Sequence, residues 1–288
     1  MSNIQLIIEE RETKIGNFLV GRLLPFRKKR SVGPFVFIDH MGPAELSSSE
    51  QLDIAPHPHI GLSTLTYLFE GHIMHRDSLG TEIEISPGAV NWMTAGKGIV
   101  HSERTPERLR NQPKRLHGLQ IWVALPKELE DMEPAFHHIE ANALPSWIEG
   151  SLSLKLIAGK YGILESPVPV YSPLFFLEIS SVSGAHFQPG SQLFGESGLY
   201  ILKGEVIIDN TSFGPGQLLI ADETPMCSLE LKPETCVYLF GGYPFTEERH
   251  IYWNFVHSDK TKIDQAKSNW TLRRFPEIPG ETDWVPLP

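Results

Sequence analysis

The sequence predicts an all-β chain built as two tandem β-barrels or sandwiches, with a short helix near the C-terminus. Three observations lead there. Apolar runs are short, rich in Val, Ile, Leu and aromatic residues, and broken by Gly, Pro and Asn. Gly (24) and Pro (23) fill about one position in six, against a usual share near 12%, and no fixed Gly period accompanies them. Many turns are therefore implied and a collagen-like repeat is excluded. Finally, one strand-and-turn unit occurs twice. With 41% hydrophobic and 21% charged residues, the 288-residue chain can fill a real core, which excludes disorder and a disulfide-stapled miniprotein.

Taken in order, Met1 to Arg11 mixes Glu with Ile and lacks the charged-then-apolar order of a signal segment. Strands are predicted over Leu62–Gly71, Ile83–Ser86, Val90–Met93 and Leu116–Val123. Residues Pro126 to Leu144 are more polar, carry no strand pattern, and are expected to link two β-rich halves. Strands then resume over Leu152–Ala158, Leu174–Ser180, Gly198–Leu202, Glu205–Asp209 and Gln217–Ile220. Ser258 is the expected cap of a helix in which Ile263, Ala266 and Trp270 follow helical spacing. The expected boundaries are a first domain over 1–134, a linker over 135–149, a second domain over 150–245, and a helix with its tail over 246–288.

The internal repeat is the firmest of these signals. Thr66-Tyr67-Leu68-Phe69-Glu70-Gly71 resembles Leu199-Tyr200-Ile201-Leu202-Lys203-Gly204, and a Pro-Gly turn follows each, at Pro87-Gly88 and Pro215-Gly216. Gly88 lies 17 positions after Gly71, whereas Gly216 lies 12 after Gly204, so the first half carries the longer hairpin. Each unit is one barrel or sandwich, duplicated.

A net charge of −10 argues against sequence-independent nucleic-acid binding, since nothing offsets phosphate repulsion. The basic run Arg27-Lys28-Lys29-Arg30 reads as a solvated loop. Cys227 and Cys236 are too few for a disulfide framework or an all-cysteine zinc site and read as small core hydrophobes. No run of 18 apolar residues is present, so no membrane span is expected and a cytoplasmic location is.

Chemistry concentrates in two short strings, His57-Pro58-His59 and His101-Ser102-Glu103. Residues i and i+2 of a strand share a face, so each string can turn two ligands inward together. Pro58 fits only at an edge or a bulge. Three imidazoles and a carboxylate suit Fe, Mn, Ni, Cu or Zn better than Ca or Mg, and leave positions open on an octahedral ion, as a catalytic metal requires. Counting along the repeat places Gly190, Gln192, Leu229 and Leu231 at the positions of His57, His59, His101 and Glu103, so the second barrel is expected to lack a metal. Other polar residues have plainer readings. His72, His75, Arg76 and Asp77 either border the pocket or face solvent. His117 precedes Leu119, Ile121 and Val123 in period two, which puts it in phase with inward residues. His137-His138 reads as linker surface, His186 as a satisfied or exposed histidine, and Trp92 and Trp122 as barrel core.

The strings also carry a family resemblance. His57-Pro58-His59, Tyr67-Leu68-Phe69-Glu70-Gly71, Pro87-Gly88 and His101 resemble the two motifs of the cupin superfamily. Val32-Gly33-Pro34-Phe35-Val36-Phe37-Ile38-Asp39-His40, Trp92-Met93-Thr94-Ala95-Gly96 with Gly98-Ile99-Val100-His101-Ser102-Glu103, and Ile278-Pro279-Gly280-Glu281-Thr282 resemble the pirin family. That resemblance implies a bicupin with one mononuclear metal, usually iron, on His57, His59, His101 and Glu103. It further implies a dioxygenase that opens a flavonol such as quercetin with O2, Glu103 doubling as general base. The alternative it carries is an iron-dependent, redox-sensing regulator that binds a transcription factor or metabolic enzyme as protein partner, without turnover. Two departures stand out: Ser63 where many pirins have Glu, and Ala124 where they often have Asn.

Overall fold

Strand pairing follows the apolar runs in the computed structural model, which describes residues 4–15, 18–221 and 228–288. All nine predicted strands are present, among them Leu62–Glu70, Glu82–Ile85, Val90–Thr94 and Lys114–Ala124 in the first half, and Leu152–Tyr161, Leu174–Ser181 and Glu196–Lys203 in the second. Their contacts divide the chain into two units. One comprises Glu12–Val20, Ile38–Ala141 and Thr246–Pro288, and the other the remaining described residues.

The first of these units carries both metal-like strings. A four-stranded sheet runs in the order Asp53–His59, Ile99–Arg104, Ile73–Asp77, Glu82–Ile85. A larger sheet runs Ala135–Ile139, Val90–Thr94, Leu62–Glu70, Lys114–Ala124, Phe35–Leu46 and continues into earlier strands. Leu68, Ile73, Ile85 and Leu116 meet in its core. In the other unit Leu154, Leu156, Phe175, Leu177, Leu199, Ile201, Leu219 and Leu239 come from successive strands of one sheet and point to a common face, as period-two burial requires.

The repeat is a repeat of geometry. Gly71 and Gly204 adopt φ of 85° and 83°, and Gly88 and Gly216 both adopt 80°. The Gly88 amide donates to the Leu68 carbonyl at 2.8 Å, and the Gly216 amide to the Ile201 carbonyl at 2.9 Å. Each acceptor stands three residues before its glycine. Tyr67 pairs with Val90 as Tyr200 pairs with Leu218.

Four expectations need correction. The stretch around 135–139 is a strand and not linker: Ala135 pairs with Thr94 and Ile139 with Val90. It is an edge strand whose side chains are of mixed character, so its sequence lacks the apolar run of a central strand. Ser146–Glu149 is likewise a strand, paired with Leu152–Tyr161. The boundaries shift as well, because Ile4–Glu9 pairs with Gln217–Ala221 in the C-terminal unit while residues 246–288 join the metal-like unit. Sheet edges recruit whatever strand reaches them, and sequence order does not record which. At the helix, Lys260–Thr271, the cap is Asp259, whose side chain accepts from the Thr261 amide at 2.8 Å. Ser258 Oγ instead donates to Glu130 Oε2 at 2.5 Å.

The fourth correction concerns the second barrel. Met74 and Ile207 each stand three residues past their glycine, and they pair with Arg104 and Glu230. Strand register therefore sets Leu229 at the position of Glu103, two residues from where counting put it. The position matching His101 lies outside the described residues. Cys227 also lies outside them. Gly190–Gln192 forms a 3₁₀ turn and not a strand. The other cysteine, Cys236, is free, and burial pushes its thiol up to about 12.

Candidate metal centre

Three histidines converge in the metal-like unit. His101 pairs with His57 across the ladder and Ile99 with His59, so the two strings lie side by side. One ligand atom from each of His57, His59 and His101 lies within 4.8 Å of the others, and all three residues are buried. The His59 and His101 Nε2 atoms face each other at 3.1 Å, and the His57 and His101 rings stand 4.3 Å apart. Glu103 is buried on the same strand, but its carboxylate is not among the atoms within that radius. A register shift between His101 and Glu103 interrupts the ladder there.

Burial dominates the electrostatics. Desolvation lowers the His57 pKa to about 4 and holds His59 and His101 well below their ordinary value. All three are neutral at pH 7, so each offers a lone pair. Hydrogen bonds decide which nitrogen offers it. His57 Nδ1 donates to the Ala55 carbonyl at 2.9 Å, which frees Nε2. His101 Nδ1 lies 3.4 Å from His75 Nδ1, and His75 Nε2 lies 3.0 Å from Asp77 Oδ2. A carboxylate at the end of that series fixes both tautomers: His75 donates to Asp77, His101 donates to His75, and His101 Nε2 keeps its lone pair for the centre. Burial pushes the Asp77 carboxyl up, but His75 and the Thr81 and Leu79 amides outweigh it and hold it below its usual value. Converging neutral imidazoles, with a carboxyl on the neighbouring ladder position, fit a first-row transition ion.

Glu103 has the opposite character. Desolvation raises its pKa to about 7, against a Thr66 hydrogen bond that lowers it. Thr66 Oγ1 also contacts Gln120 Oε1 at 2.9 Å. Aromatic groups wall the site: Trp122 meets His59 edge-on at 5.2 Å, and Phe136 stacks on His75 at 4.4 Å.

The hairpin residues that the sequence left undecided separate cleanly. His75 and Asp77 belong to the site, whereas His72 pairs with Glu84 and Arg76 with Glu82. Alternation could have found the first two, since His75 pairs with Glu103 and Asp77 with His101. His117 keeps the phase of Leu119, Ile121 and Val123, but that phase does not line the site: His117 meets His40, at 2.7 Å, and Phe69, while Gln120 and Trp122 of the other phase reach Thr66 and His59. His138 is no surface residue of a linker: its Nδ1 contacts Asn91 Oδ1 at 2.7 Å.

Residues 17–123 match the model of the pirin family, and residues 176–276 match that of the pirin C-terminal cupin domain. The chain belongs to the pirin family. It is 44% identical to a pirin-like protein of Caulobacter vibrioides, over 99% of both chains. The crystal structure of quercetin 2,3-dioxygenase from Acinetobacter baumannii superposes with a TM-score of 0.89 at 32% identity, covering 98% of this chain and 94% of that one. The Escherichia coli pirin YhhW, solved in complex with nickel(II), shares the fold with a TM-score of 0.64 at 19% identity, over 83% of this chain and 99% of that one. The expected bicupin architecture is therefore correct, and no helix among the described residues is long and apolar enough to cross a membrane.

Proposed function

We propose that this pirin is a metal-dependent dioxygenase that opens a flavonol such as quercetin with O2, in the cytoplasm, around one iron(II) ion held by His57, His59, His101 and Glu103. The observation that carries the reading is the convergent, buried histidine triad with the buried Glu103 two residues after His101 on the same strand. The likeness to a quercetin 2,3-dioxygenase of A. baumannii supports the choice of substrate class. Lewis acidity toward a chelating hydroxyl and carbonyl, with access to O2 chemistry, is what the ion supplies when bound.

The protein's own groups do the rest. Glu103 accepts the flavonol hydroxyl proton at a carboxylate oxygen, as a carboxylate positioned beside the substrate can. Thr66 orients the carboxyl. Asp77 and His75 hold His101 in the tautomer that presents Nε2. Trp122 and Phe136 offer aromatic surface to a flat ligand and exclude water.

Anaerobic purification, elemental analysis and an oxygen-electrode assay with quercetin test the reading together. The expected result is about one metal per chain and quercetin-dependent O2 consumption that disappears in His101→Ala. Metal-loaded wild type that consumes no O2 with flavonols, whether iron, manganese, nickel, copper or zinc is supplied, would overturn it in favour of a metal-dependent binding protein.

A further inference from the structure

The strand Ile99–Arg104 is gripped from its outer face. His101 and Glu103 belong to the candidate centre, and the alternate residues Ser102 and Arg104 project the other way. There they meet the C-terminal tail. Ser102 Oγ donates to Glu281 Oε1 at 2.6 Å, while Arg104 donates to Glu281 Oε2 through Nε at 3.1 Å and Nη2 at 2.6 Å. Arg104 Nη2 also reaches both oxygens of Asp283, at 2.8 and 2.9 Å. One carboxylate thus holds the two residues that flank Glu103. Ser102 is fully buried and the Glu281 side chain is only 9% exposed, so these bonds are shielded from water.

The tail is itself anchored beside the other ligand strand. The Val285 amide donates to the Pro56 carbonyl at 3.0 Å, next to His57, and Trp270 Nε1 donates to the Val285 carbonyl at 2.8 Å. Ile278 is buried with Trp270 and Val100. On the side of Asp53–His59 the ladder is interrupted between His101 and Glu103, so there the strand relies on its unbroken ladder to Ile73–Asp77 and on the tail.

We propose that Glu281 is a positioning residue for the metal centre, setting the placement of His101 and Glu103 through Ser102 and Arg104. The proposal rests on the metal reading above. Its test is a cobalt(II) titration, followed by visible absorption, of metal-free wild type, Glu281→Ala, Glu281→Gln and Ile278→Ala. Glu281→Ala is expected to bind cobalt about 10- to 100-fold more weakly, with a changed absorption band. Glu281→Gln keeps an acceptor for Ser102 but loses the charge facing Arg104, and should fall between Glu281→Ala and wild type. Ile278→Ala loosens the tail core alone, and should lower the melting temperature while leaving the band unchanged. Wild-type affinity and absorption in Glu281→Ala overturn the proposal, as does the same band shift in Ile278→Ala. If Glu281→Ala does not fold, wild-type behaviour of Glu281→Gln overturns it instead. Wild type that binds no cobalt overturns the metal reading, and this inference falls with it.

Discussion

At the scale of single residues, the site sets two kinds of buried titratable group side by side. Desolvation keeps the histidines neutral, and the same desolvation keeps Glu103 from ionising fully at neutral pH. Ligation and proton transfer then become separable by substitution. Glu103→Gln preserves shape and one oxygen donor but removes basicity. If Glu103 is the base, flavonol turnover per bound metal should fall by roughly 10²–10⁴-fold, the usual worth of a positioned acid–base group. Metal content should fall much less, because three imidazoles remain. An unchanged rate per bound metal, measured with elemental analysis on the same sample, would show that Glu103 serves only as a ligand.

At the scale of elements, the turn joining the ligand strand Asp53–His59 to Leu62–Glu70 matters most. Gly61 adopts φ +69°, and a Cβ there would sit 1.9 Å from the Val256 carbonyl oxygen. Val256 belongs to a short hairpin strand whose amide donates to Ile60, and the nearby Asn254 backbone lies beside His59. A side chain at position 61 must therefore strain the turn and displace the hairpin behind the triad. Gly61→Ala is expected to destabilise the protein by about 2 kcal/mol or more, combining left-handed strain with a backbone clash. Gly80 also has positive φ, +87°, but nothing lies within 4 Å of its Cβ position. Gly80→Ala should cost only the strain, about 1–2 kcal/mol. Denaturant midpoints that fall equally for both variants would refute the clash argument.

At the scale of the whole molecule, buried histidines couple folding to pH. The triad's folded pKa values lie below the unfolded value near 6.5, so below that pH the unfolded chain binds more protons. Stability is present above about 6.5 and is lost as pH falls toward 4. Glu103 acts in the other direction: its raised value favours the folded state as pH falls from about 7 toward 4.5. Three groups against one leave a net loss on acidification, roughly tenfold in the folding equilibrium per pH unit for each net proton. The metal-free protein should accordingly show a lower urea midpoint at pH 5 than at pH 7. A midpoint unchanged or raised at pH 5 would contradict the neutral triad.

The sequence by itself determined the class of fold, the duplicated unit and the three histidines. Each depends on local information: period-two burial, turn glycines such as Gly71 and Gly204, and the i, i+2 rule that sets His57 beside His59. Tertiary structure decided what depends on pairing between distant segments. Which strand completes a sheet edge is settled by geometry at that edge, so Ile4–Glu9 lies in the C-terminal unit and Ala135–Ile139 lies beside Val90–Thr94. Both faces of a central strand can be buried, so alternation did not say which one lines the site, and His117 lies on the other face from Gln120 and Trp122. Asp77, His75 and Glu281 act on His101 and Glu103 from other parts of the chain, Glu281 from about 180 residues away. Only folding brings such groups within hydrogen-bond reach, because a hydrogen bond reads distance in space and not separation along the chain.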